Sequence, residues 1–194
     1  MLKLNEVRKQ LLPGQVYRRA DLTQWSNAVD RHLRQLQEEG LLTKLSGGLY
    51  YCPRQTAFGA TPADDVALVK AFLRDDRFLL TSPNAYNTLG VGTTQLYNTT
   101  LVYNHKRHGR FELGGRVFDF RMKPYFPETL SEEYLLVDLV NNLKEVAEDH
   151  EVLLNRVKEK AVNMDKAALS KAVRAYGGAA AKKFFAKISV ETRH

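Results

Sequence analysis

Asn27, Arg31 and Arg34 follow one another at intervals of four and three residues in a stretch, Ser26 to Glu39, that meets no helix breaker before Gly40. At about 100° per residue they share one helix face with Gln35 beside them, while Val29, Leu33 and Leu36 fall roughly opposite. One face is suited to a core and the other to a polar partner. An Asn amide pairs bidentately with adenine and an Arg guanidinium with guanine, each contributing about 1–3 kcal/mol of discrimination. Asn27 and Arg31 are therefore candidates for reading base edges, and Arg34, Lys44, Arg18 and Arg19 for holding the phosphate backbone.

Other groups suggest weaker chemistry. His105 and His108 have a metal-like spacing, yet Lys106, Arg107 and Arg110 crowd them with like charge and no local carboxylate or Cys joins them. No metal and no cofactor is expected. Gly90-Val91-Gly92 lacks the Gly-Lys-Ser/Thr sequence of a phosphate cradle and reads as a turn. The pairs Asp64-Asp65 and Glu132-Glu133 suit helix starts, Asp75-Asp76 stands alone, and no converging acidic or His cluster can be assembled. No catalytic residue is assigned, although a nuclease would need such a cluster. Tyr97 to Arg110 interleaves aromatic and basic residues, a mixture that can stack on bases and follow a backbone or form a solvated loop.

The elements that position the polar face begin at Gln15. Gln15 to Tyr17 reads as a short strand after Pro13-Gly14, Arg18 to Leu22 as one helical turn, and Thr23 to Trp25 as a turn with Trp25 as a packing anchor. Ser26 has the side chain of an N-cap for a helix running to Glu39. Gly40 suits a left-handed C-terminal stop, after which Leu41 to Leu45 and Leu49 to Tyr51 alternate as strands around Ser46-Gly47-Gly48. This order predicts a winged helix-turn-helix, its second helix in the major groove and its tip, Ser46 and Gly47 included, near the minor groove.

The 194 residues carry a net charge of +7. Residues 1–54 contribute +4, residues 55–127 contribute +3, and residues 128–194 are neutral. The excess lies where phosphate attraction is expected. The lone Cys52 excludes an intrachain disulfide and, ending a strand before Pro53, reads as a buried structural residue. Met1 to Leu12 does not resemble a signal peptide, and no apolar run approaches the ~20 residues of a membrane span. A soluble, cytoplasmic protein with no membrane partner is expected.

Two domains are predicted: residues 1–54, and residues 61–194 after a linker, Arg54 to Ala60. The fold class is α+β, an N-terminal winged helix-turn-helix followed by a mixed α/β domain ending in a helical segment. In the second domain Thr61-Pro62 with Asp64 and Asp65 marks a helix start whose buried face is Val66, Val69 and Leu73. Phe78 to Thr81 and Leu101 to Tyr103 read as strands, and Ser82-Pro83 opens a helix stopped by Gly90. Arg110 to Leu113, Gly114-Gly115 and Arg116 to Met122 form a hairpin with Phe111, Leu113, Phe118, Phe120 and Met122 on one covered face. Ser131 caps a helix with the apolar stripe Leu135, Leu136, Leu139, Val140 and Leu143, expected to be central. Glu151 to Ala161, a helix capped by Asp165, and Ala179 to Ile188 complete the chain.

The run Ser26-Asn27-Ala28-Val29-Asp30-Arg31-His32-Leu33-Arg34-Gln35-Leu36, with Gly40-Leu41-Leu42 and Gly48-Leu49-Tyr50-Tyr51-Cys52-Pro53, resembles the N-terminal unit of the antitoxins of abortive-infection E (type IV) toxin–antitoxin systems. Ser82-Pro83-Asn84-Ala85-Tyr86 with Leu89-Gly90, and Gly114-Gly115-Arg116-Val117, resemble their central domain. The final helices match more loosely through Tyr176-Gly177 and Lys182-Lys183. The resemblance implies a winged helix that binds inverted repeats in its own operon promoter, and a C-terminal domain that counteracts a nucleotidyltransferase-like toxin without a required stable complex. Lys182 and Lys183 are then candidates for an antitoxicity surface. The alternative is a stand-alone winged-helix regulator with a ligand-sensing second domain.

Overall fold

The computed structural model describes residues 2–191, so Met1 and residues 192–194 of the expected domains lie outside the described residues. The chain is mixed α+β with a multi-helix C-terminal region. No helix among the described residues is long and apolar enough to cross a membrane. Two compact units are present: residues 1–76 with 110–118, and residues 77–109 with 119–194.

The first unit opens with helix α1 (Leu2–Gln10), which the alternation of charged and apolar residues did not announce. Leu4 and Val7, three residues apart, bury one face of it among Leu22, Leu33, Leu36 and Leu42. Arg8 pairs with Glu39 beyond the later helix α3 (Val29–Glu38). Between them lie strand β1 (Val16–Arg18), the one-turn helix α2 (Arg19–Leu22) and a turn where Trp25 meets Tyr17 edge-on at 6.4 Å.

Ser26 does not cap α3, which starts two residues later than expected with Ala28 in the cap position. The Ser26 hydroxyl accepts from the Ala28 amide at 3.1 Å and lies 2.7 Å from Nδ1 of buried His32. It closes a tight local turn instead, the competing use of a serine near a helix start. At the other end Gly40 has φ +73°, its amide donating to Gln37 and the Leu41 amide to Leu36. Those two bonds are the left-handed stop that glycine accommodates without strain.

Strands β2 (Thr43–Ser46) and β3 (Leu49–Tyr51) form a hairpin closed by Gly47-Gly48, with an irregularity between Lys44 and Ser46, and β1 pairs with the other edge of β3. The stretch expected as a linker holds its own small ladder, β4 (Gln55–Thr56) with β5 (Gly59–Ala60). Helix α4 (Asp65–Leu73) then starts later than Thr61-Pro62 implied, because Asp64 supplies the cap by accepting from the Ala67 amide. Its buried residues are Leu68, Val69 and Leu73, whereas Val66 is 52% exposed.

Strands β8 (Gly109–Leu113) and β9 (Arg116–Met122) lend the first unit their turn. The Gly114 amide donates to the Leu45 carbonyl at 3.0 Å. Arg116 pairs with Asp65 and donates to the Ala63 carbonyl at 2.6 Å, and Phe111 lies 5.1 Å from Phe72. The compact units therefore do not coincide with residues 1–54 and 61–194.

In the second unit β6 (Phe78–Thr81) pairs antiparallel with β7 (Thr100–Asn104), Phe78 opposite Asn104 and Thr81 opposite Leu101. Ser82 caps the Pro83–Leu89 segment, which is a 3₁₀ helix and ends at Gly90 with φ +68°. The later half of β9 departs from the one-sided face expected of the hairpin. Phe120 is buried but Met122 is 55% exposed, and Asp119 on the opposite face is buried with Arg121, which also reaches Glu145 at 2.7 Å.

Helix α5 (Glu132–Asn141) is the centre of this unit, as its apolar stripe predicts, with every residue from Tyr134 to Val140 buried. It packs with the 3₁₀ helix, α6 (His150–Val162), α7 (Lys166–Tyr176) and α8 (Ala179–Glu191) around Leu136, Leu139, Val157 and Phe185. Asp149 and Asp165 cap α6 and α7 through backbone amides.

One charge lies inside this apolar assembly. Asp138 on α5 has no solvent exposure and accepts from the Tyr86 hydroxyl at 2.7 Å and the Tyr103 hydroxyl at 2.9 Å. Lys123 approaches at 3.4 Å and lies 3.9 Å from the centre of the Tyr103 ring, while Asn142 donates to both phenolic oxygens at 3.0 Å. A buried carboxylate persists only when paired and hydrogen-bonded, and this one is both.

Burial, and then the charge of Asp138, hold the Tyr86, Tyr103 and Tyr134 hydroxyls far above the ordinary value of 10.0. Below pH 10 these tyrosines are neutral folded or unfolded. Above it only the unfolded chain ionises, so stability should fall by about 1.4 kcal/mol per pH unit for each such tyrosine. Alkaline urea titrations followed by phenolate absorbance should show these phenols ionising together with unfolding; free titration in the folded protein would contradict the burial. Asp138→Ala leaves Lys123 and two phenols without their acceptor, and is expected to lower the urea-unfolding free energy by about 3–5 kcal/mol.

Candidate nucleic-acid interface

Helix α3 owes its two faces to the spacing of its apolar residues. Val29, Leu33 and Leu36 are buried, joined by His32, which the sequence pattern did not single out. Arg31, Arg34 and Gln35 lie exposed on the other side, and Asn27 is exposed in the bend that leads in. Neither Arg31 nor Arg34 makes a hydrogen bond or an ion pair among the described residues. These two guanidinium groups are free for a partner.

Lys44 is exposed on β2 across from Tyr50, likewise without an ion pair among the described residues. Ser46 is half-buried opposite Leu49, and Gly47 is exposed in the turn. The Arg19 amide donates to the Gly48 carbonyl at 2.9 Å, fixing this turn against the start of α2.

Arg18 and Arg19 are employed differently from Arg31 and Arg34. Arg18 is half-buried at the end of β1 and donates to the Ala71 carbonyl of α4 at 3.0 Å, while its amide donates to Asp21 at 2.8 Å. It fastens β1 to α4. Arg19 grips Asp30 with two nitrogens, at 2.7 and 2.8 Å, linking α2 to the first turn of α3. The hydrogen bond to Arg19 holds the exposed Asp30 carboxyl below its ordinary range, and Asp30 raises Arg19 in turn. Arg19 and Asp30 stand eleven residues apart across a turn, a separation that carries no pairing signal in sequence.

Lys182 and Lys183 are exposed on α8 in the second unit. His105 stacks on Phe126 at 4.6 Å, and no group of His, Cys, Asp and Glu among the described residues could hold a metal ion. Tyr97 is half-buried, its hydroxyl accepting from the Ala147 amide and its backbone clamped by Asn84. Cys52 is buried, and burial pushes its thiol above the usual cysteine value.

No family model matches the chain, and no curated protein sequence matches it. The RV2827C protein from Mycobacterium tuberculosis has a similar structure, with a TM-score of 0.59 at 16% identity over 95% of this chain and 74% of that one. The likeness is one of fold.

His32 reports on the exposed face from within. Burial, and then the neighbouring Arg31 charge, push its pKa below the ordinary 6.5. A neutral His32 thus contributes stability that is present above pH 6.5 and is lost as the pH falls through the lowered folded value. Arg31→Ala should move the His32 ring titration upward in proton NMR while the fold is retained. An unchanged titration would show that Arg31 does not project beside it.

Proposed function

We propose that residues 16–51 form a winged helix-turn-helix that binds duplex DNA, with α3 in the major groove and Gly47-Gly48 as the tip of the wing. The observation that carries this reading is the outward face of Asn27, Arg31 and Arg34, solvent-exposed, with neither guanidinium engaged by the fold. Asn27 and Arg31 face base edges; Arg34 and Lys44 hold phosphates. Arg18 and Arg19, both engaged internally, act as struts that aim α3. Ser26 joins them by tying the entry of the helix to His32.

On this reading the protein represses its own operon by binding inverted repeats in the promoter. The sequence resemblance of residues 26–53, 82–90 and 114–117 to type IV antitoxins supports assigning the second unit to relief of a nucleotidyltransferase-like toxin, with no enzymatic activity of its own. Lys182 and Lys183 are proposed for that surface. The cytoplasm is the proposed site of action.

Fluorescence anisotropy on the operon's own promoter tests the DNA-binding role. Arg31→Ala should lose about 1–3 kcal/mol and relax preference at one base pair, while Lys44→Ala should weaken specific and random duplexes alike and reduce the salt dependence. Asp30→Asn removes the carboxylate that holds Arg19 and, by loosening the aim of α3, should weaken binding to the promoter. Equal losses on specific and random DNA for Arg31→Ala would remove it from base reading. For the second unit, expression of the neighbouring gene of the operon should arrest growth and this chain supplied in trans should restore it; continued arrest with the protein well expressed would refute the antitoxin role.

A further inference from the structure

Helices α6, α7 and α8 line a half-open cavity of about 360 Å³, within the 300–1,000 Å³ range of small-molecule sites. Its floor includes Leu169, Phe185 and Ile188, all buried in the core of the second unit. Lys166, Ser170 and Lys182 stand exposed among its lining residues. The lining is apolar below and cationic above.

The two lysines are placed against the local electrostatics. Lys166 opens α7 and Lys182 lies in the first turn of α8, at helix ends that carry partial positive charge and favour anions. Neither helix has an acidic residue in its first turn, and no carboxylate lines the cavity. Asp165, adjacent in sequence, is committed to the Ala167 and Ala168 amides. Lys166 and Lys182 make no ion pair among the described residues, in contrast to Lys160, which is paired with Glu132. Asp165 offsets the helix end of α7, and Lys166 and Lys182 are cations of the mouth that no ion pair engages among the described residues.

We propose that this cavity binds a small amphipathic anion, a single carboxylate or phosphate head held by Lys166 and Lys182 over a short apolar body seated on Leu169, Phe185 and Ile188. The site lies wholly within the second unit and does not depend on the DNA-binding reading. It separates Lys182, which lines the cavity, from Lys183, which does not.

Calorimetry and amide NMR on the full chain test it with four probes: decanoate, decyl phosphate, decanol and inorganic phosphate. Saturable binding of decanoate or decyl phosphate, with shifts confined to the start of α7 and to α8, supports the site, and the tighter of the two identifies the head group. The double variant Lys166→Gln, Lys182→Gln should weaken binding by about tenfold or more, the equivalent of one charge-assisted hydrogen bond. Ser170→Trp, an exposed position at the cavity, should block it with the melting temperature unchanged. Equal affinity for decanol, equal affinity for inorganic phosphate, full binding by the double lysine variant, or no saturable binding of either amphiphile would each overturn the proposal.

Discussion

A carboxylate with no exposure to water dictates the arrangement of the second unit. Asp138 is tolerable inside α5 only because the 3₁₀ helix delivers Tyr86, β7 delivers Tyr103, the residue that follows β9 is Lys123, and Asn142 completes the phenolic oxygens. Each donor comes from a different element, so misplacing any of them leaves a buried charge undercompensated. Apolar packing alone tolerates slippage. A fully satisfied polar network specifies one arrangement far more narrowly.

The first unit handles charge by division of labour. Arg8, Arg18, Arg19 and Arg116 are all used to join pieces of chain: α1 to the end of α3, β1 to α4, α2 to α3, and the hairpin to Asp65. Arg31, Arg34 and Lys44 are left pointing outward. Glu39, Asp30 and Asp65 are the acidic partners in three of these joints, whereas Arg31, Arg34 and Lys44 enter no ion pair among the described residues.

Where one residue type has one dominant physical use, the sequence was legible. Gly40 and Gly90 stopped helices, Ser82, Ser131 and Asp165 capped them, and the alternation around Gly114-Gly115 placed a hairpin. The exposed face of α3 followed from periodicity alone. What was hidden depended on competition or on distant partners. Ser26 had two local uses and took the turn, Asp64 displaced Thr61 as the cap, and α1 was obscured because only Leu4 and Val7, separated by the polar Asn5 and Glu6, bury its face. Asp138, Tyr86, Tyr103 and Lys123 could not be grouped from sequence, since their contacts span as many as 52 residues and none shows a local pattern. The pairing of Arg19 with Asp30 was concealed in the same way.

The first unit is discontinuous in the chain: residues 110–118 belong to it although residues 77–109 belong to the other. During translation the amino-terminal segment emerges first, but its Leu45 carbonyl and Asp65 carboxylate must wait for Gly114 and Arg116. Completion of the amino-terminal unit is thereby tied to the birth of the central strands, and a nascent or truncated chain lacking them would present an unfinished version of it. Under the proposed repression of its own operon, such a delay would let only polypeptides synthesised well past the first unit count toward the feedback.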